Sequence, residues 1–339
     1  MFLRSKAPLR ISFGGGGTDV SPYCEEHGGV TLSATICKYT YASLQPRNDS
    51  TIRAVSLDYN HATDFNPSKE ILYDGNLDLV KATVKTLGIT TGCELYLHSD
   101  VPPGSGLGSS SSLTVALVGL FQQWKRLATT PYEIAELAYE VERKEAQIAG
   151  GRQDQYAASF GGFNFIEFRR DATIVNPLRI RRDIANELEY RMLLCNTGQT
   201  RLSAGIIEDQ MRNYKMGKKD VLNALSKTKE LAIAMKTSIL LGNIDELGYL
   251  LNEAWQAKKL FTSQISDSDI DELYSIAKNN GAIGGKLLGA GGGGYLLLLC
   301  HFDKKHNVVE KLESVGRKVI DFAFDYSGLQ VWGVNKYVG

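Results

Sequence analysis

Val101-Pro102-Pro103-Gly104-Ser105-Gly106-Leu107-Gly108-Ser109-Ser110-Ser111-Ser112, running straight into Leu113-Thr114-Val115-Ala116-Leu117-Val118, is the stretch on which the fold turns. Its glycines let the backbone fold tightly and bring N–H groups close to an anion. Its serines stand where the apolar run should open a helix, and a helix N-terminus offers unpaired N–H groups and a partial positive charge. A serine hydroxyl in that first turn is also a hard oxygen suited to Mg²⁺. Just upstream, Glu94-Leu95-Tyr96-Leu97-His98 alternates as a half-buried strand does. Strand, loop and helix together predict a nucleotide-phosphate site.

Other phosphate loops fit less well. The chain has no GxxxxGK[ST], which excludes a P-loop NTPase by sequence. Gly289, Gly291 and Gly294 have GxGxxG spacing, but they precede the apolar run Tyr295-Leu296-Leu297-Leu298-Leu299-Cys300 instead of following a strand and opening a helix. A protein-kinase loop would need HRD and DFG elements, and neither occurs.

Working outward, 113–127 is apolar on most faces and reads as a buried helix. A helix is predicted over 131–148, with Thr130 as N-cap and Pro131 at the first helical position. The second half is helix-rich. Helices are predicted over 220–241 and 245–259, and a third opens at Ser266-Asp267-Ser268-Asp269 and stops at Asn279-Asn280-Gly281. An amphipathic helix over 307–324 and a strand over 330–334 close the chain. The change from strand-rich to helix-rich falls near residue 185, which places an α+β chain in two domains, 1–185 and 186–339.

Bulk properties narrow the partners. Lys+Arg and Asp+Glu both number 38, so net charge argues for neither nucleic acid nor membrane. The five cysteines (Cys24, Cys37, Cys93, Cys195, Cys300) form no CxxC pair, as in a reduced, cytoplasmic protein without a disulfide or zinc framework. The N-terminus lacks the apolar core of a signal peptide, and 295–300 is too short to span a membrane. The five histidines show no ligand spacing and receive no role.

Two further loops complete the pattern. Ala7-Pro8-Leu9-Arg10-Ile11-Ser12-Phe13-Gly14-Gly15-Gly16-Gly17-Thr18-Asp19 adds a cation and a carboxylate to a flexible turn, and Gly289-Ala290-Gly291-Gly292-Gly293-Gly294 lies near the other end. Taken singly, each reads equally well as a plain glycine turn. Together, in this order, the three loops resemble the GHMP kinase superfamily of galactokinase, homoserine kinase, mevalonate kinase and phosphomevalonate kinase. Within it, the segments 10–19, Gly150-Gly151-Arg152-Gln153-Asp154-Gln155-Tyr156-Ala157-Ala158 and Thr197-Gly198-Gln199-Thr200-Arg201 look like those of the D-glycero-D-manno-heptose 7-phosphate kinases. The L-fucokinase domain shares much of this pattern.

The resemblance implies a two-domain GHMP kinase fold. Its N-terminal half is like domain 2 of ribosomal protein S5, with a left-handed βαβ crossover, and its C-terminal half is ferredoxin-like. It implies ATP and Mg²⁺ as cofactors, a sugar phosphate as substrate, and phosphorylation of the anomeric C1 hydroxyl for nucleotide-activated heptose synthesis. A free-sugar 1-kinase and a catalytically silent sugar/ATP sensor are the alternatives, in a monomer or homodimer. Residue by residue, it implies ATP contacts from Pro103, Gly104, Ser105, Gly106, Leu107, Gly108, Ser109, Ser110 and Ser111. Mg²⁺ would sit on Ser110 and Glu142, with Glu145 as competitor; Glu142 lies twelve residues before Asp154. Asp154, in a glycine-flanked turn, would accept or orient the hydroxyl proton, and Arg10 would offset charge beside it. The substrate would meet Gly16, Gly17, Thr18, Asp19, Thr197, Gly198, Gly291 and Gly292. Its existing phosphate would need a cation: Arg152 and Arg201 first, for their bidentate geometry, then Lys258 and Lys286.

Overall fold

A computed structural model describes residues 2–199 and 203–334. Among these, the strands are β1 Phe2–Gly14, β2 Gly29–Pro46, β3 Ile52–Ser56, β4 His61–Phe65, β5 Cys93–Ser99, β6 Phe163–Phe168, β7 Thr173–Pro177, β8 Met192–Asn196, β9 Ala282–Leu287, β10 Tyr295–Cys300, β11 Val319–Ile320 and β12 Gln330–Val334. One sheet runs β12-β1-β2-β5-β3-β4, with β6 pairing β2 and β7 pairing β6. The long β2 holds it together: residues 29–34 pair with β6, 40–46 with β5, and β1 runs beside both stretches. The β3–β5 pair is parallel and is joined through β4 and the helix Asp78–Thr86. The pairing of β1 with β2 slips between Pro8 and Leu9, and this irregularity accommodates a residue that cannot donate to a ladder.

The second sheet, β11-β8-β10-β9, is antiparallel throughout. All six residues of β10 are buried, because both sheet faces are covered. Leu297 and Leu299 join a core with Leu9, Ile11, Phe13, Leu231, Met235 and Ile239. The alternate residues Leu296 and Leu298 join Trp255, Leu273, Val308 and Leu312 on the other face. The helix Lys219–Leu241 thus packs its apolar stripe across β1 and β2, and β12 returns from the end of the chain to β1.

The loop that opens the sequence does run into a helix, Ser109–Trp124, buried on almost every side. The predicted 131–148 helix is divided. Pro131–Tyr139 is α-helical, and Glu140–Glu145 widens into a π-helical turn in which Val141 and Glu142 are buried. Such turns insert a residue and re-aim side chains. The helix predicted over 307–324 stops earlier: Lys305–Ser314 is helical, Gly316 takes φ +77°, and Val319–Ile320 then joins β8 as an edge strand. Thr130 forms a reciprocal capping box with Glu133, its Oγ1 accepting from Glu133 N at 3.3 Å while Glu133 Oε2 accepts from Thr130 N at 2.7 Å. Thr130→Ala is expected to cost about 1 kcal/mol, read as a lower urea midpoint at unchanged slope.

Candidate functional site

The middle loop is built on three left-handed glycines: Gly104, Gly106 and Gly108 have φ +73°, +78° and +78°. Gly108 is the N-cap, so the N–H groups of the serine turn open onto a cleft of about 160 Å³. Gly104, Gly106, Gly108, Ser109, Ser110 and Ser111 line it. Pro103 is exposed, while Ser105 and Leu107 are buried; Leu107 packs into the core and Ser105 Oγ accepts from Leu107 N at 3.4 Å.

The third loop closes against the second. A methyl group on Gly106 would lie 2.6 Å from Leu288 O, and one on Gly289 would lie 2.7 Å from Gly106 Cα. Tyr295 N donates to Ser105 O at 3.0 Å. Gly106→Ala would force these backbones apart and place a side chain at positive φ. We expect nucleotide affinity to fall at least about tenfold, measured by titration with a fluorescent ATP analogue; unchanged affinity would show that the two loops need not touch.

Arg10 enters from β1, 3% exposed. Its Nε and Nη2 each lie 2.7 Å from Asp154 Oδ1, and Nη1 donates to Gly106 O at 2.6 Å. One guanidinium therefore ties the carboxylate to the phosphate loop. Asp154 is not in a turn: it lies in the first turn of the helix Gln153–Phe160, beside Gly108.

Glu142 is 1% exposed and brought to the cleft wall by the π-helical turn. It accepts from Ser110 Oγ at 2.8 Å, Ser111 Oγ at 2.7 Å and Gln155 Nε2. Glu145 points away and binds Lys85 Nζ at 2.6 Å and Tyr73 Oη. Ser110 and Glu142 supply adjacent hard oxygens, and Arg143 Nη2 stands 3.8 Å from the carboxylate. Among the described residues no three His, Cys, Asp or Glu side chains converge. That donor set fits Mg²⁺, which is usually bound by one or two carboxylates, waters and substrate phosphates.

Across the cleft, Asp19 is 1% exposed and accepts from Gly17 N at 3.0 Å, Gln153 N at 3.1 Å and Gln153 Nε2 at 3.3 Å. Burial, then the nearby Asp154 charge, raises its carboxyl above the usual range, and the backbone donors oppose this. Gly151 must lack a side chain, because a Cβ there would meet Asp19 Oδ2 at 1.9 Å. Lys258 lines the cleft floor, its Nζ donating to Leu287 O at 3.1 Å and Gly289 O at 2.5 Å. Burial, then the charges of Lys286 and Arg10, pushes it well below the ordinary lysine range. Burial, then Arg10, pushes Lys286 down to about 7, with Asp19 opposing.

Several expected substrate contacts are engaged elsewhere. Thr18 is fully buried, its hydroxyl within 2.8 Å of Gly15 O and 2.9 Å of Val30 O, so it holds the first loop instead of facing the cleft. Thr197 N and Oγ1 both donate to Gly294 O, and Arg317 donates to Thr197 O, so Thr197 braces the third loop, while Gly198 N donates to Asn196 Oδ1 at 2.7 Å. Gly291 and Gly292 pack on Ile265, Gly292 N donating to its carbonyl at 2.9 Å. Arg152 lies over the Tyr139 ring at 4.7 Å, 3.8 Å from Glu25, away from the cleft. Arg201 lies outside the described residues. Gly16, Gly17 and Asp19 do line the cleft, with Gln153, Gln210 and Phe261, which sequence reasoning had not assigned. Gln153 and Gln155 sit inside the quoted 150–158 segment, on either side of Asp154, and that adjacency was the available signal.

Such a cleft belongs to an enzyme that moves a phosphoryl group. Residues 77–162 match the model of the GHMP kinases N terminal domain, and 235–318 that of the GHMP kinases C terminal domain. The chain is 38% identical to a D-glycero-alpha-D-manno-heptose 7-phosphate kinase of Campylobacter jejuni, covering 98% of this chain and 99% of that protein. A crystal structure of a D-glycero-D-manno-heptose 1-phosphate kinase from Bacteroides thetaiotaomicron superposes with TM-score 0.83 at 33% identity, covering 98% of this chain and 100% of that one. A bifunctional fucokinase/GDP-fucose pyrophosphorylase of Arabidopsis thaliana is 26% identical over 90% of this chain and 30% of its own length. The chain belongs to the GHMP kinase family, whose members use ATP. None of its described helices is long and apolar enough to cross a membrane.

Proposed function

We propose that this enzyme, an ATP-dependent sugar kinase, transfers the γ-phosphoryl group of ATP to the anomeric C1 hydroxyl of D-glycero-D-manno-heptose 7-phosphate, giving the 1,7-bisphosphate and ADP. The reaction would serve nucleotide-activated heptose synthesis in the cytoplasm. The observation that carries the reading is likeness to a heptose 7-phosphate kinase over 98% of the chain, joined to a carboxylate gripped by Arg10 beside the phosphate loop.

Phosphoryl transfer needs positioning, charge neutralisation and an oriented nucleophile. The N–H groups of the Gly104 to Ser110 loop would cradle the phosphates. Asp154 would accept or orient the proton of the attacking hydroxyl. Arg10, bound to that carboxylate and to Gly106 O, would offset negative charge developing on the transferred group. Ser110 and Glu142 would hold Mg²⁺, which when bound neutralises phosphate charge. Asp19, fixed by Gly17 and Gln153, would take sugar hydroxyls. For the existing phosphate, Lys258 is the basic side chain on the cleft lining besides Arg10 and Arg143, and Arg201 remains a candidate.

Likeness to the Arabidopsis fucokinase favours a second reading, a kinase of free L-fucose or a similar hexose. ADP release against a panel of heptose 7-phosphate, free heptose, L-fucose and galactose separates the two. Turnover of the phosphorylated heptose, with ³¹P NMR placing the new phosphate at C1, is expected. Activity on fucose or galactose alone would overturn the assignment.

A further inference from the structure

The third loop is gripped on two sides. On one side, Tyr295 N donates to Ser105 O at 3.0 Å, and a Cβ on Gly294 would lie 2.5 Å from that same oxygen. On the other, Gly294 O accepts from Thr197 N at 2.9 Å and from Thr197 Oγ1 at 3.0 Å, and Gly294 N donates to Gln199 O at 2.8 Å. Gly293 is packed as closely: a Cβ there would meet Gln199 O at 2.7 Å. The turn 197–199 is therefore the backing that presses the third loop onto the phosphate loop.

Arg317 supports that turn. It lies between helix Lys305–Ser314 and β11, half-buried, and its Nη1 donates to Thr197 O at 2.8 Å. A Cβ on Gly198 would lie 2.3 Å from the same Nη1, and Gly198 has φ +74°, so the turn is shaped to lie on the guanidinium. Arg317 does not line the nucleotide cleft. It borders a separate pocket of about 230 Å³ with Asp269, Glu272, Leu273, Ile276 and Val315. Two carboxylates share that pocket, yet Nη1 goes to the backbone carbonyl. Nε is buried and has no hydrogen-bond partner among the described residues. Holding the guanidinium under the turn thus leaves one buried donor unsatisfied, a cost that a side chain facing solvent would avoid.

We infer that Arg317 is a positioning residue for phosphoryl transfer: acting through Thr197 and Gly294, it fixes the third loop against Ser105 and so holds the phosphate loop in its nucleotide-binding shape. Every link is a direct hydrogen bond or a contact that leaves no room for a side chain. The relay runs from Arg317 to Thr197 O, from Thr197 N and Oγ1 to Gly294 O, and from Tyr295 N to Ser105 O. Ser105 stands between Gly104 and Gly106, which both line the cleft. Hydrogen bonds from a charged donor are among the stronger ones, and misplacing a reactant by about 1 Å can cost about 10²-fold in rate. This role rests on the reading of the middle loop as the ATP-phosphate site and is independent of which sugar is phosphorylated.

The test uses the full chain, a fluorescent ATP analogue and whichever sugar of the panel is turned over. Arg317→Met keeps an apolar stem and removes the donor, whereas Arg317→Lys keeps a charged donor. Arg317→Met is expected to weaken binding of the analogue and raise KM for ATP by about tenfold, with KM for the sugar within about twofold of wild type. Arg317→Lys should recover most of that loss. Thr197→Val cuts the next link and should show the same split between ATP and sugar. The double variant Arg317→Met/Thr197→Val should be no worse than the more affected single variant, because both break one relay. If Arg317→Met does not fold, Arg317→Lys and Thr197→Val carry the comparison. A lower thermal midpoint with unchanged nucleotide affinity assigns Arg317 to the fold alone and overturns the inference. Equal losses for ATP and sugar, or losses that simply add in the double variant, overturn it as well. A wild type that binds no ATP analogue removes the nucleotide reading of the middle loop, and this inference with it.

Discussion

Asp154→Asn is expected to lower turnover by about 10²- to 10⁴-fold, the usual contribution of a positioned proton acceptor, while nucleotide affinity stays close to wild type. The geometry separates the two effects. Arg10 reaches Asp154 Oδ1 through Nε and Nη2 and, independently, reaches Gly106 O through Nη1 at 2.6 Å. An asparagine can keep its carbonyl oxygen toward Arg10, so the tether to the phosphate loop survives. The capacity to accept a proton does not survive, and neither does the negative charge that faces the guanidinium. ADP-release kinetics read the first, and titration with a non-hydrolysable ATP analogue reads the second. Near-normal turnover with intact nucleotide binding would remove Asp154 as the base.

Glu142→Gln should produce a loss of comparable size for a different reason. The carboxylate accepts from Ser110, Ser111 and Gln155 in a site that is 1% exposed. An ionised carboxylate accepts at both oxygens, whereas an amide turns a donor group toward at least one of these donors. The mismatch should destabilise the fold by about 1–3 kcal/mol. The lost charge should lower kcat/KM by about 10²- to 10³-fold and move half-saturation for Mg²⁺ to higher concentration. A lower thermal midpoint with an unchanged Mg²⁺ dependence would assign Glu142 to the fold and take the metal away from it.

These two carboxylates also mark where the sequence stopped being legible. The opening loop, its serine turn and the buried helix were readable because they are local. Left-handed glycines, a helix start and a fully apolar run announce themselves within about twenty residues. The cap at Thr130 was readable for the same reason, and so was the helix start at 266–269, where the structure gives the cap to Asp267. The choice between Glu142 and Glu145 was not. A regular helix over 131–148 leaves both on neighbouring faces, and the π-helical turn sends one to the serines and the other to Lys85. Arg152 was favoured over Lys258 because arginine suits phosphate, yet Tyr139 and Glu25 hold Arg152 elsewhere while helix Ile244–Lys259 carries Lys258 to the third loop. Thr197 had the right neighbours in sequence, but its hydrogen-bonding groups face Gly294.

The sequence by itself determined the three anion-type loops, their order and the nucleotide-phosphate character of the middle one, since backbone conformation and helix starts depend on adjacent residues. Tertiary structure alone decided which polar groups meet in the cleft: Arg10 with Asp154 across 144 positions, Ser110 with Glu142 across 32, Asp19 with Gln153 across 134. Those pairings come from the sheet register and from helices crossing it, which bring distant residues within hydrogen-bond reach, and no local pattern encodes that approach.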